Sequence, residues 1–507
     1  MKRKWILIVV LFFIIRLSQY WIGNTLGNKD GMIQHPLLLI MLALVYSFLI
    51  LAAIALVAGD HLKKHCSTPL LPILILIGFL IIAEGISRSQ FFDHNSLYSS
   101  ALYKNINDVK ILYTREKPPP GRWTVQPKDQ GSDLSSEQKE AIRKLQSIGY
   151  LSGSQEAPEN QNVSINKRSK TATGYNLVVS GHTTGAFIMD MEGTELHSWS
   201  CSAHHAWPDL NHEQENNHTG NHSFWRRVHL FKNGDLLAVF EGLGIIKLDK
   251  NSNLIWKNKN GAHHDLYVDK NNNIYLLTRK AHIRPEYHET EPILEDYICI
   301  LDSLGQQIME ISILDLLADS KYAPVLRRMY DHGDILHTNT IELIEKEPPL
   351  TSPFRAGTLL ISILHLDLVC AVDLNHRNIY WAESDLWFRQ HQPTLLPSGH
   401  LLVFDNQGRE GKSTVLEIDP TSRDIVWFYR GDEGHPFYTY SCGSHQRLEN
   451  GNTLITESDP GRAFEVTADK EIVWEYINPH RAGSQKKLIA TLFEIIRLEN
   501  FSLHWLE

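Results

Sequence analysis

Only five cysteines occur in this sequence of 507 residues, at positions 66, 201, 299, 370 and 442, and no two of them form a Cys-x-x-Cys pair. That absence removes zinc ribbons and thioredoxin-type redox sites from consideration. Positive charge is short as well: 49 Lys and Arg face 58 Asp and Glu, a net charge of -9 with a pI near 6.3. Such a balance is a poor match to a phosphate backbone, so nucleic acid is not expected as the main partner. No small-x-small cleavage site follows the first apolar segment, so that segment is not expected to be a removable signal peptide. In contrast, 12 Trp and 26 His are many, and both types concentrate after residue 180.

Three apolar segments, 5–22, 37–58 and 70–86, open the chain. The second is nearly uninterrupted and long enough to cross a bilayer as a helix. The first carries Arg16 and the third Glu84, both read as side chains reaching the membrane interface. Lys2, Arg3 and Lys4 precede the first segment, and Lys63 and Lys64 separate the second from the third. The positive-inside bias then predicts a cytoplasmic N-terminus, three crossings and a remainder that faces the periplasm or cell exterior. Residues 1–88 are thus expected to be a three-helix transmembrane anchor in the inner membrane. Residues 89–173 read as a linker interrupted by Pro118, Pro119 and Pro120, with one short amphipathic helix. That helix is signalled by Ser135 and Gln138 as a capping box, by Ile142, Leu145 and Ile148 on one face, and by Gly149 as its stop.

From 174 to 507 one unit recurs: strand, Leu-x-x-Gly-like turn, strand, a third strand ending in Asp, then a fourth ending in Trp. Successive copies reach Asp249 and Trp256, Asp302 and Ile311, Asp373 and Trp381, Asp419 and Trp427, and Val466 and Trp474. Residues 175–199 form a further, incomplete copy, and 492–498 is placed to pair with it and close a ring. A four-strand period of about 40–50 residues predicts an all-β fold, a six-bladed β-propeller preceded by the helical membrane anchor. The terminal Trp residues are expected to pack between blades. An open β-sandwich fits the regular repeat less well.

His264, His337, His391 and His445 all fall at or just before the first strand of a copy. In a propeller those strands line the channel, so the four side chains are expected at one mouth. His263, His365, His400 and His480 are read as structural. A histidine cluster can act as nucleophile, as general acid or base, or as a set of metal ligands, and spacing alone does not choose.

Taken together, His263-His264-Asp265, Leu336-His337-Thr338-Asn339, Gln390-His391 with Gly399 and Asn406, and the run 446–455 resemble the bacterial arylsulfate sulfotransferase family. The resemblance covers about 174–480. It implies a six-bladed propeller that moves a sulfuryl group from a small aryl sulfate donor to a phenolic acceptor without PAPS, with no cofactor and no metal. It also implies His391 as the residue sulfated, supported by His264 and His337, with Asn339 in the substrate site. The family's sulfate-binding Arg falls on Leu364, so Arg355, Arg389 or Arg447 is expected to replace it. A non-catalytic propeller that binds sulfated or phenolic ligands, or a protein partner, is the alternative, and Leu364 favours it. A metal enzyme ranks third.

Overall fold

The computed structural model describes residues 137–138, 153–159, 161–210, 222–408, 411–483 and 485–506. The chain divides into two compact units, Met1–Val109 and Lys110–Glu507, and every described residue belongs to the second. The three expected membrane crossings therefore lie outside the described residues, as does all but 137–138 of the expected amphipathic helix. Among the described residues no helix is long and apolar enough to cross a membrane.

Six sheets of at least four antiparallel strands follow one another along the chain. The first blade contains Tyr175–Ser180, Gly185–Met189 and Glu195–Ser200, and its inner strand is Leu492–Leu498 from the far end of the chain. Tyr175 pairs with Leu498 and Val178 with Ile495, which closes the ring. The inner strands of the second to sixth blades are Arg227–Leu230, Ala262–Val268, Thr338–Leu343, His391–Leu395 and Ser444–Arg447. One expectation needs correction. Asn162–Asn166, placed in the linker by its polarity, is a fifth, outer strand of the last blade and pairs with Ile472–Ile477. Polarity misled because Asn162, Ser164 and Asn166 outnumber Val163 and Ile165, the two residues that pack toward the core from this half-buried edge strand.

Local chemistry explains the repeat. Gly234, Gly399 and Gly451 turn at φ 87°, 87° and 88°, a region that favours glycine. After the third strand an Asp side chain ties the next turn: Asp249 Oδ1 accepts the amides of Asn251 and Asn253, both at 2.8 Å. Four of the five Trp residues that end blades reach a turn of the next blade, as expected, while Trp381 packs on Phe354 of its own blade's loop. Trp199 Nε1 donates to Gly234 O (3.1 Å), Trp256 to Ser303 O (3.2 Å), Trp427 to Ala468 O (2.8 Å) and Trp474 to Met191 O (3.0 Å).

Nearer the axis, polar side chains link each inner strand to the next. Glu494 pairs with Arg227, and Arg227 Nε lies 2.9 Å from Asp265 Oδ1. Asp265 Oδ2 accepts the Ile341 amide (3.0 Å), Thr340 Oγ1 that of Gln392 (2.9 Å), Gln392 Oε1 that of His445 (3.1 Å) and Gln446 Oε1 that of Arg497 (2.8 Å). The belt passes through all six blades. It fixes the inner strands relative to one another, and the site is built on them.

Candidate active site

Three inner strands are irregular where their histidines sit. The ladder slips between Leu276 and Leu277 opposite His264 and Asp265, between Thr338 and Thr340, and between His391 and Thr394. Such bulges re-aim side chains at the rim of a sheet. His264 and His337 both have φ 54°, and Gln392 has φ 42°, an uncommon region for residues other than glycine. The inner ladders of the second and sixth blades run without a slip. His445, on the sixth, is buried beside backbone of Gln392 and Leu402. Its ring thus packs against backbone of the fifth blade, beside Gln392.

His264 and His337 do meet, Nε2 to Nε2, at 3.2 Å. His337 Nδ1 is 2.5 Å from Asp334 Oδ2. Burial works against charge on Asp334, yet the charge and hydrogen bond of His337, with His365 and Arg279, hold its carboxyl well below the ordinary range. Asp334 is thus ionised and His337 Nδ1–H donates to it. On the other side His264 Nδ1 lies 2.7 Å from His263 Nδ1 and 3.5 Å from Glu241 Oε1. Burial, then the charges of His337 and His263, push His264 well below the usual imidazole range. Two facing Nε2 atoms at this distance share one proton, whichever ring carries it.

His391 is placed differently. Its Nδ1 is 2.7 Å from Asn406 Oδ1. The Asn406 amide nitrogen donates to Cys442 O (2.6 Å) and Thr439 O (3.2 Å), so the orientation of that amide is determined by two acceptors. His391 Nδ1 must therefore be the donor, and the lone pair rests on Nε2. That Nε2 is buried and has no hydrogen-bond partner in the protein. Burial lowers the His391 pKa to about 3 against the pull of Asn406, so the ring is neutral at any physiological pH.

Asn339 braces this arrangement from behind. It is buried, and its Nδ2 donates to Gln390 O at 2.8 Å, just before His391. Gln390 Nε2 in turn donates to Ser362 Oγ (3.0 Å) and Leu368 O (3.1 Å) of the fourth blade. Leu364 is buried, and its amide donates to His337 O (3.1 Å). The arginines proposed to replace it are occupied elsewhere. Arg355 is half-exposed, 3.7 Å from Asp373 and stacked over Tyr380, while Arg447 binds Glu417 at 2.8 Å and lies over Trp427. Arg355 lies in the loop between Thr338–Leu343 and Leu359–Ile363, and Arg447 is the last residue of the inner strand Ser444–Arg447. Arg389 lies over Phe388, 5.9 Å from the ring centre.

Two buried arginines that sequence reasoning missed lie beside the histidines: Arg279, 3.3 Å from Glu241 and acting on His263 and His264, and Arg226. Arg226 is 2 % exposed, its amide donates to Val239 O (2.8 Å), and its guanidinium lies 5.2 Å from the Phe493 ring centre. Its charge acts on both His264 and His391. The signal was present as the doublet Arg226-Arg227 at the head of an inner strand, where solvated charge has no place. His263 and His365, read as structural, also belong to the site's walls. His365 Nδ1 is 2.8 Å from Asp334 O, and its ring centre lies 5.0 Å from that of His337. Glu241, His263 and His264 could jointly hold a cation, and so could Asp334, His337 and His365. In both sets the facing atoms are already engaged with one another.

The fold and site define a β-propeller with converging histidines on three neighbouring blades. Residues 227–479 match the family model described as arylsulfotransferase (ASST), and the chain belongs to that family. The family implies aryl sulfates and phenols as substrates. No curated protein matches the chain. Among solved structures, a Bacteroides caccae protein of unknown function is 12% identical, over 64% of this chain and 98% of its own, with a TM-score of 0.41. The WD40 β-propeller domain of Doa1 is 10% identical, over 66% and 88%, with a TM-score of 0.36. A functionally unknown protein from Desulfotomaculum acetoxidans is 8% identical, over 64% and 99%, with a TM-score of 0.38.

Proposed function

We propose that this propeller transfers a sulfuryl group from an aryl sulfate to a phenol through a sulfated His391. The observation that carries the reading is the fixed tautomer of His391, with its lone pair on a buried, unpartnered Nε2. That lone pair attacks sulfur, an N–S bond forms, and the S–O bond to the aryl group breaks with its electron pair passing to the phenolate oxygen. The proton shared by His264 and His337 goes to that oxygen, with Asp334 stabilising the His337 side. Arg226 meets the charge on the sulfuryl oxygens from the second blade, the task that Leu364 cannot perform. The acceptor phenol then returns a proton to the histidine pair and attacks sulfur, and the N–S bond breaks. No PAPS is consumed.

Brief exposure of the protein to an activated aryl sulfate should give a sulfated His391 peptide, absent from His391→Ala. If no aryl sulfate labels the wild type but Leu364→Arg acquires labelling and transfer, the chain is a binding module for sulfated or phenolic ligands instead.

The reading extends to place. Lys2, Arg3, Lys4, Lys63 and Lys64 flank the three apolar segments and set the propeller on the periplasmic or outer side of the inner membrane. The four described cysteines are buried, so a Glu159→Cys variant offers an accessible thiol. Intact spheroplasts should label it, and labelling only after lysis would reverse the topology.

A further inference from the structure

Outside the histidine site, two loops of the third blade bring together a different set of donors. The segment 283–292 joins two strands of that blade, and 319–332 leads from it toward the fourth. His288 comes from the first, Asp331 and His332 from the second, and one ligand atom from each lies within 4.8 Å of the others. His332 Nδ1 is 2.6 Å from Asp331 Oδ1, and the rings of His288 and His332 lie 5.3 Å apart, centre to centre. Asp331 and His332 are solvent-facing, with side-chain exposures of 71% and 51%, so an ion has open access and open coordination positions.

The backbone assembles these donors before any ion arrives. Gly333–Asp334 pairs in parallel with Ile293 and Leu294, and the Gly333 amide donates to Pro292 O (2.9 Å). That bridge sets residue 332 beside the end of the loop that bears His288. Preassembly lowers the ordering cost of binding.

We infer that Asp331, His332 and His288 form a divalent transition-metal site that clamps these two loops together. Two imidazoles and one carboxylate suit zinc, cobalt, nickel or copper rather than calcium or magnesium, which take oxygen ligands. His288 Nδ1 at present accepts the amides of Thr290 (3.3 Å) and Glu291 (2.9 Å). The ion takes that lone pair in their place, or the ring turns over to offer Nε2. The clamp has a direct route to the chemistry. Asp334, which orients His337, sits two residues beyond His332 on the same bridged segment.

The test is titration of the full-length, chelator-stripped chain with zinc chloride, followed calorimetrically and by equilibrium dialysis. One equivalent should bind. His332→Ala, Asp331→Asn and His288→Gln should each weaken it about tenfold or more, and His264→Ala should leave it unchanged. Circular dichroism and melting of the three exposed-site variants separate loss of ligands from loss of fold. Zinc should also raise hydrogen-exchange protection across 283–292 and 331–334. Failure to bind zinc overturns the site. So does an equivalent that survives His332→Ala with His288→Gln but disappears in His264→Ala. Binding with no gain in protection overturns the clamp.

Discussion

In the proposed reaction the reactivity of His391 depends on Asn406, whose Oδ1 holds the ring proton on Nδ1. Without Asn406 the imidazole proton is free to sit on either nitrogen, and half the value of a buried lone pair is lost with it. Asn406→Ala is expected to lower the rate of His391 sulfation on the order of 10²-fold or more, by analogy with other imidazoles that lose their orienting partner. Rapid-quench measurement of the labelled peptide checks this, with KM little changed because Asn406 acts on the ring and not on the aryl sulfate. The pairing also removes the need for acid or base to activate the nucleophile. A ring already neutral to about pH 3 gives no acid limb from His391 in the range where enzymes are assayed.

At the scale of strands, the histidine geometry is only as good as the belt that joins the inner strands. Asp265 is its most exacting member: 6 % exposed, it serves Arg227, the Ile341 amide and the Leu266 amide at 2.9, 3.0 and 2.9 Å. Asp265→Ala leaves Arg227 with Glu494 as its remaining partner and two amides unserved, and should cost about 3–5 kcal/mol in urea unfolding. A loss below about 1 kcal/mol would show the belt to be dispensable. Blade number, ring closure and four of the Trp contacts were legible in the sequence, because each follows from period, apolar patterning and turn glycines. The positions of Arg226, Asn406 and Asp334 were not. They depend on bulges and on side chains brought in from neighbouring blades, and no one-dimensional spacing records a slip of one residue in a ladder. Arg355 and Arg447 were chosen for nearness in sequence, and both are drawn instead to carboxylates and rings: Asp373 and Tyr380 for Arg355, Glu417 and Trp427 for Arg447.

For the molecule as a whole, burial of so many imidazoles makes stability depend on pH. Burial lowers the pKa of His182, His391 and His445 to about 3, and that of His222 and His229 to about 4. The unfolded chain protonates each near 6.5, so between pH 6.5 and 4 it binds protons that the fold refuses, and stability falls as pH falls. Burial, with the Asp334 charge, raises Asp296 to about 7, and burial raises Glu342 to about 8, so these hold protons in the fold that the unfolded chain releases. Their contribution is lost as pH rises through 7 to 8. Five histidines outweigh two carboxyls on the acid side, and denaturant unfolding should show a maximum near neutrality with the steeper loss below pH 6. A flat profile from pH 7 to 5 would contradict the burial of these rings. The ring's closure by Leu492–Leu498 has a consequence during synthesis. Tyr175–Ser180 emerges more than 300 residues before the strand it must pair with, and until then its backbone is an open edge with an apolar flank. A ribosome that stalls, or a protease that cuts before Leu492, leaves a circle with one missing stave, ready to borrow that stave from another molecule. Truncated chains should therefore gather into heads-to-tails chains of propellers, and a peptide spanning 492–498 added in trans is the natural cap for them.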